Sequence, residues 1–354
     1  MKNCGLVALL IGVGVLYALG GAAAEDKMEC FETSLHHTTR GMAHWYDAQD
    51  GFSAVTKVPY KELGCKGCHV SSCEDCHLED TGDGCCDYSL DKARDPATCL
   101  KCHSREKATI GIDKARGTPG VHMSFLGCAD CHTAREVHGD GTCYESMRAP
   151  GAMDAKCTNC HGSTEGDYAK IPDTDSHMVH GDALDCSACH VSNTMTCYNC
   201  HFGVLKETGK KPESFAAKVK DFLLLVKYNG KITSGTMQTL VGVDNYPFIT
   251  YVPYLTHSVT AQGRTCEQCH DTEPVNALAA GERFTPAVFQ DGALSFYKGV
   301  IPVVPQQLDW PFLEKKHGQW VPFTPKDDPL IQMGVYAEPL SSEELDMMSS
   351  PQGY

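Results

Sequence analysis

Cys128-Ala129-Asp130-Cys131-His132 is one of eight stretches in this 354-residue chain in which a C-x-x-C pair is followed directly by a histidine. We number these C-x-x-C-H motifs, and the sites they form, from 1 to 8 in chain order. Their first cysteines are Cys65, Cys73, Cys99, Cys128, Cys157, Cys186, Cys197 and Cys266. Their second cysteines are Cys68, Cys76, Cys102, Cys131, Cys160, Cys189, Cys200 and Cys269. Their histidines are His69, His77, His103, His132, His161, His190, His201 and His270.

The motif is the attachment sequence of c-type haem. Its two thiols bind the porphyrin vinyl groups, and its histidine is the proximal ligand of the iron. Zinc sites and disulfide frameworks also use many cysteines, but neither requires a histidine directly after the second cysteine. Because all eight motifs carry that histidine, we expect eight covalently attached haem c groups as cofactors.

The spacing of the motifs predicts the fold. Motifs 3 to 6 begin at intervals of 29 residues, which indicates a repeated unit. Seven motifs lie within residues 65–201, so little chain is left for a conventional hydrophobic core. We therefore predict a multihaem cytochrome c fold, in which porphyrins fill the interior and loops with short α-helices wrap them. Such a module should not fold without its metal group.

The chain after His201 has a different character and predicts a small β module. Asn229-Gly230 lies between two apolar runs, which is a hairpin signal. Gln290-Asp291-Gly292 predicts a second hairpin, and Gly299–Val304 predicts another strand. Tyr246–Tyr254 contains two prolines and is typical of an edge strand. The fold class is thus α+β, with little regular secondary structure.

These patterns divide the chain into consecutive segments. We predict a signal peptide (1–24), an N-terminal segment with candidate distal histidines (25–64), a seven-haem module (65–201), a β-hairpin module (202–262), an eighth haem with a C-terminal β segment (263–340) and a flexible tail (341–354).

The first 24 residues have the features of a secretory signal. Lys2 precedes an apolar stretch from Leu6 to Leu19, and Ala22-Ala23-Ala24 offers a cleavage site. The stretch is shorter than the roughly 20 residues that span a bilayer. We expect an exported protein, periplasmic or at the cell surface, with no transmembrane anchor in the mature chain. The net charge of -15 argues against nucleic acid as a partner.

Nine histidines lie outside the motifs, and eight irons with two imidazoles each would need eight of them. The candidate distal ligands are His36, His37, His44, His122, His138, His177, His180 and His257. His122, His180 and His257 lie six to nine residues before a motif. His177 and His180 are one helical turn apart and would serve two different haems. The ninth, His317, lies in a basic, surface-like turn.

Four further cysteines of the mature chain, Cys30, Cys85, Cys86 and Cys143, are expected to form disulfides in an oxidising compartment. A disulfide between the adjacent residues Cys85 and Cys86 would be strained, so each is expected to bond to another cysteine, for example Cys30 or Cys143. The sequence leaves the connectivity of these four cysteines open.

The pattern His177-x-x-His180-x5-Cys186-x-x-Cys189-His190 is similar to the octahaem group that contains tetrathionate reductase and hydroxylamine oxidoreductase. That likeness implies an enzyme in which one haem keeps an open position. The dense motifs, β module and acidic exported chain also resemble extracellular electron-transfer cytochromes, some of which form filaments. The resemblance covers about residues 30–270, and no catalytic residue is carried over from it.

Three functions follow as expectations. The first is electron transfer through eight haems, mostly or all with two histidine ligands, between redox partner proteins such as other cytochromes or a quinol-linked oxidoreductase, or to an external acceptor. The second is reduction of a small oxyanion of the tetrathionate, nitrite or hydroxylamine type. The candidates to line its pocket are Arg135, His138 and Tyr144 after motif 4 and Lys107, Lys114 and Arg116 after motif 3; the alternative is that these side chains contact haem propionates. The third is a homo-oligomer, as the subunit of an extracellular cytochrome filament.

Overall fold

The computed structural model describes residues 30–63, 69–82, 84, 86–162, 171, 172, 174–202 and 222–350. The predicted signal peptide and Cys65, Cys68 and Cys85 lie outside these residues. None of the helices formed by the described residues is long and apolar enough to cross a membrane.

Short helices dominate the part of the chain that carries motifs 2 to 6. The α-helices are α1 (Arg40–Tyr46), α2 (Ser53–Thr56), α3 (Glu74–His77), α4 (Leu90–Arg94), α5 (Pro96–Cys99), α6 (Ser104–Arg116), α7 (Ala134–His138), α8 (Asp175–His180), α9 (Cys186–His190), α10 (Glu273–Ala279) and α11 (Ser342–Ser349). Single 3₁₀ turns lie at Tyr60–Glu62, Val121–Ser124, Cys128–Asp130, Cys157–Asn159, Val243–Asn245, Cys266–Gln268 and Pro305–Gln307.

The strands concentrate in the second half of the chain. They are β1 (Leu78–Asp80), β2 (Cys86–Tyr88), β3 (Cys197–His201), β4 (Phe222–Tyr228), β5 (Lys231–Val241), β6 (Pro247–Pro253), β7 (Ala287–Gln290), β8 (Ala293–Phe296), β9 (Gly299–Pro302), β10 (Phe312–Lys316), β11 (Gln319–Phe323) and β12 (Leu330–Met333). The main sheet has the order β12-β6-β5-β4-β9, and β3 pairs with β5 as well. The pairs β1-β2, β7-β8 and β10-β11 form separate two-stranded sheets.

Both predicted hairpins are present. β4 and β5 are antiparallel and joined by Asn229 and Gly230, whose φ angles of 50° and 75° are those of a left-handed two-residue turn. β7 and β8 are joined through Asp291 and Gly292 in the same way.

The prediction of an edge strand at Tyr246–Tyr254 was wrong. β6 lies inside the sheet, antiparallel to β5 on one side and parallel to β12 on the other. Its prolines stand at its two ends, at Pro247 and Pro253, where the loss of an N–H donor costs least. The partner strand β12 comes from about eighty residues later in the chain. The sequence near β6 therefore did not indicate that this strand would be paired on both sides.

The predicted boundary at residue 202 does not match the architecture. Motif 7 forms β3, which pairs in parallel with residues 238–241 of β5, so it belongs to the main sheet. The predicted flexible tail also differs from the structure. Ser341 and Glu344 form a capping box that begins α11, and Leu345 and Met348 of this helix are buried.

The two faces of the main sheet pack differently. On β4, Phe222, Leu224 and Val226 belong to one apolar cluster with Tyr251 and Trp310. The alternate side chains Leu223 and Leu225 join a second cluster with Ala188 of α9, Val275 of α10 and Met348 of α11. This second face therefore supports the helices that carry motif 6 and follow motif 8.

The region of motifs 2 to 5 contains almost no apolar core. Among its described residues, from 69 to 162, Ala152 is the one buried hydrophobic side chain. The same stretch exposes Leu90 at 72% and Phe125 at 70%.

Candidate haem sites

The described motifs, apart from motif 7, share one backbone conformation. In motifs 2, 3, 4, 5 and 8 the histidine N–H donates to the carbonyl of the first cysteine at 2.8–3.1 Å. Motif 6 is the helix α9 itself. A helical turn brings positions i, i+3 and i+4 to one side, so both thiols and the imidazole can serve one ligand.

Six histidine pairs form the centre of the candidate sites. In each pair a motif histidine faces one from outside the motifs, with ring centroids 5.9–6.3 Å apart. The pairs, from site 2 to site 8, are His77 with His138, His103 with His36, His132 with His257, His161 with His122, His190 with His177, and His270 with His180. Two imidazoles on opposite faces of one metal ion, at metal–nitrogen distances of about 2.0 Å, have centroids about 6 Å apart.

The protein holds the second ring nitrogen of six of these twelve histidines, whereas Nδ1 of His36 is buried without a hydrogen-bond partner among the described residues. Nδ1 of His132 lies 2.7 Å from Glu136, and Nδ1 of His257 lies 2.6 Å from Glu106. The other Nδ1 contacts are with backbone carbonyls, at 2.8–3.1 Å, and belong to His177, His180, His190 and His270. Such outer contacts orient metal-bound imidazoles and leave Nε2 as the ligand atom.

The Glu106 carboxylate is suited to accept a hydrogen bond from the His257 ring. Burial raises the pKa of its carboxyl group, but hydrogen bonds from His257 and Tyr254 outweigh burial, and the net pKa is lowered. Glu106 therefore stays ionised and accepts the His257 proton. No sequence signal indicated this contact, because the two residues are 151 positions apart. Glu136 has a local signal, since it follows His132 by four residues.

Site 8 shows the complete set of parts around one cavity. A cavity of about 670 Å³ is lined by Cys266, Cys269, His270 and the distal His180. Its other walls are largely apolar and include Leu184, Leu225, Ile232 and Met348. Both its volume and its lining suit a flat, largely hydrophobic group with polar anchor points.

Neighbouring sites touch through their cysteines. The Cys99 thiol is hydrogen-bonded to that of Cys128, and the Cys157 thiol to that of Cys186. Burial, and then the nearby Cys160, raise the pKa of Cys131.

Two further electrostatic proximities link site 2 to site 3 and site 6 to site 8. Burial, and then the nearby Cys99, raise the pKa of Cys76. Burial raises the pKa of Cys189. The nearby Arg264 lowers it, and the thiols of Cys186 and Cys266 raise it. Two hydrogen bonds between thiols and three electrostatic proximities order the described sites 2-3-4-5-6-8.

Five histidines form no such pair. The Nδ1–H of His37 donates to the Val70 carbonyl, 3.0 Å away, and the ring packs against Phe31. His44 lies 3.5 Å from Glu145, and the exposed His317 lies at the turn between β10 and β11. Two are motif histidines. Both ring nitrogens of His69 are buried without a hydrogen-bond partner.

His201 of motif 7 has a different environment. Its Nε2 lies 2.5 Å from the Leu313 carbonyl, and its ring packs against Trp320 of β11. The strand β3 does not bring positions i, i+3 and i+4 to one side as a helical turn does.

The basic cluster that we expected to line an oxyanion pocket is neutralised. Arg135 forms ion pairs with Asp140, at 2.7 Å, and with Asp154, at 2.5 Å. The Tyr144 hydroxyl donates to Asp140 at 3.1 Å, and His138 faces His77. Of the expected disulfide cysteines, Cys30 lies beside Gly141, two residues before Cys143, and Cys86 lies exposed on β2.

Within the described ranges, no three His, Cys, Asp or Glu side chains converge as a self-contained metal site. The chain matches no protein-family model, no curated protein and no solved structure.

Proposed function

We propose that this chain is an exported octahaem c-type cytochrome that transfers electrons through a series of closely spaced haems. The observation that carries the proposal is the pairing of six motif histidines with six others at 5.9–6.3 Å. Pairs at this distance suit irons that hold two imidazoles and have no place for a substrate. Haem iron supplies the one-electron chemistry when it is bound.

The residues of the chain have three tasks in this proposal. Cysteines in helical turns would hold each porphyrin, and the six histidine pairs would supply imidazole ligands to the iron. Carboxylates and carbonyls at Nδ1 fix the ring orientation and strengthen the imidazole as a ligand. The closeness of cysteines from successive sites would place the porphyrin edges near one another, which would favour rapid transfer along the series 2-3-4-5-6-8.

The test is electron paramagnetic resonance at low temperature on the oxidised, purified protein. The electron-carrier proposal predicts ferric low-spin signals from the six haems whose motif histidines face a second histidine. Removal of the haem attachment machinery from the expression host is the matched control and should abolish these signals. A purified protein from a competent host that carries no haem would overturn the proposal.

A second function is favoured by the state of site 1. Among the described residues, His69 has two buried nitrogens without a hydrogen-bond partner, and no described ring pair joins it to a second histidine. A haem held there by one imidazole would keep an exchangeable position and suit a small-oxyanion reductase. In that case the same spectrum contains a high-spin signal worth about one haem, which shifts on addition of nitrite or hydroxylamine.

A further inference from the structure

Arg264 lies between motifs 6 and 8 and is bonded to the first of them. Its guanidinium donates to the carbonyls of Ala188, Cys189, Val191 and Ser192, at 2.5–3.3 Å. Its backbone N–H donates to the Cys189 carbonyl as well, at 3.2 Å. The last carbonyls of a helix have no partner within the helix, so Arg264 caps α9 and thereby motif 6.

The same side chain belongs to site 8. Arg264 precedes Cys266 by two residues and lines the 670 Å³ cavity with Cys269 and His270. The neighbouring Gly263 is so close to site 6 that a Cβ there would lie 3.5 Å from the Cys189 Cβ and from the His190 ring. One guanidinium therefore contacts both sites.

The charge of Arg264 is not neutralised by a carboxylate of the described residues. Its hydrogen bonds all go to carbonyls, and burial lowers the pKa of its guanidinium, with only the thiols of Cys269 and Cys189 acting against this. Arginine nevertheless remains protonated in proteins. Arg135 and Arg283, by contrast, each pair with aspartate.

Sites 6 and 8 are also joined from the distal side. Helix α8 carries both His177, which faces His190, and His180, which faces His270. The two sites thus share one helix on one side and one cation on the other. Their relative position is fixed although their motifs are about eighty residues apart.

We propose that Arg264 is a positioning residue that holds sites 6 and 8 together and raises the reduction potential of both haems. This inference rests on the proposed function. Each ferric haem accepts one electron from its neighbour in the series and loses one positive charge. A fixed cation in a partly dehydrated position favours the form with the lower positive charge, so it makes reduction easier.

The test is a spectroelectrochemical titration of purified holoprotein, with haem content measured first. In Arg264→Gln the potentials of two haems should fall while the others stay in place. Arg264→Lys, which keeps the charge, should retain the original potentials. Arg283→Gln removes an exposed, paired arginine and serves as the control that changes nothing.

Each outcome decides a separate point. A protein without haem overturns the proposed function itself. A full haem content with unchanged potentials in Arg264→Gln, or with a uniform shift of all haems, overturns only the role of Arg264. If Arg264→Gln does not accumulate, Arg264→Lys decides. Two lowered potentials in that variant would show that charge is not what sets them.

Discussion

His177 and His180 lie one turn apart on α8, yet their rings face histidines of different motifs, His190 at 6.3 Å and His270 at 6.0 Å. Each also has its Nδ1 bound to a carbonyl of its own segment, Pro172 and Ser176. A three-residue spacing on a helix thus provides two independent ligands. It also sets the distance between the two sites they serve.

Replacement of His180 by alanine tests this assignment at the level of one residue. Since His180 faces only the site 8 histidine, one haem should lose a ligand and convert from low to high spin. The expected change is the loss of about one haem's worth of low-spin signal in the paramagnetic resonance spectrum. Met178→Ala is the matched control, because Met178 lies on the same helix and is 64% exposed. An unchanged spectrum in His180→Ala would remove His180 from the ligands.

The sequence indicated which histidines are candidates but not which of them meet. Proximity to a motif is a misleading guide, since His122 precedes motif 4 but faces His161 of motif 5. His257 precedes motif 8 but faces His132 of motif 4. Each motif is a local pattern and can be read directly. The pairing depends on chain reversals that no local signal encodes.

At the level of elements, turn signals predicted both hairpins because Asn-Gly and Asp-Gly alone fix the backbone there. Helix α11 was not predicted because its sequence is mostly polar, although two of its side chains, Leu345 and Met348, are buried. The carbonyl of Met348 accepts the Nδ1 proton of His270 at 3.1 Å. The C-terminal helix is therefore part of site 8, and its attachment has a pH dependence.

Glu344 links α11 to β4, because Nζ of Lys227 on that strand donates to its carboxylate at 2.8 Å. Burial raises the pKa of Glu344, but the bonds from Lys227 and Ser341 outweigh burial and lower it below its ordinary value of 4.5. A lowered folded pKa means that this stabilisation is present above the ordinary value and is lost as the pH falls through the folded value.

Hydrogen exchange of α11 measures this effect. Exchange, corrected for its intrinsic pH dependence, should accelerate as the medium is acidified below the ordinary glutamate pKa. Glu344→Gln should raise exchange at neutral pH by about fivefold, corresponding to about 1 kcal/mol, and should flatten the pH dependence. Glu343→Gln, one residue away on the same helix, is the control. Equal effects in both variants would refute the role of the Lys227–Glu344 pair.

The whole molecule combines two kinds of interior. The main sheet has an ordinary apolar core on both faces, whereas the described part of residues 69–162 buries only Ala152 among its hydrophobic side chains. Sites 2 to 5 lie in that second region, and sites 6 and 8 lie against one face of the sheet. The rigid sheet thus positions one end of the series, and the porphyrins would supply the core of the other.

Site 7 differs from the other described sites in conformation. Its motif is a strand of the sheet, and electrostatic proximities link the cysteines of site 6 directly to those of site 8. Loss of its attachment cysteines, in Cys197→Ala/Cys200→Ala, should therefore leave conduction from site 2 to site 8 intact. Loss of site 5, in Cys157→Ala/Cys160→Ala, should interrupt conduction, because Cys160 lies near Cys131 and Cys157 is bonded to Cys186, so that site 5 links sites 4 and 6 among the described residues.

Conductance of protein films between electrodes separates the two cases, with haem content of each variant measured beforehand. The site 7 variant should retain the conductance of the unmodified protein, and the site 5 variant should fall to the level of a haem-free film. Electron transfer weakens steeply with distance, so a single missing haem inside the series is enough for this loss. If removal of site 7 stopped conduction as removal of site 5 does, sites 6 and 8 would not exchange electrons directly. The series would then follow the order of the motifs along the chain rather than their contacts in space.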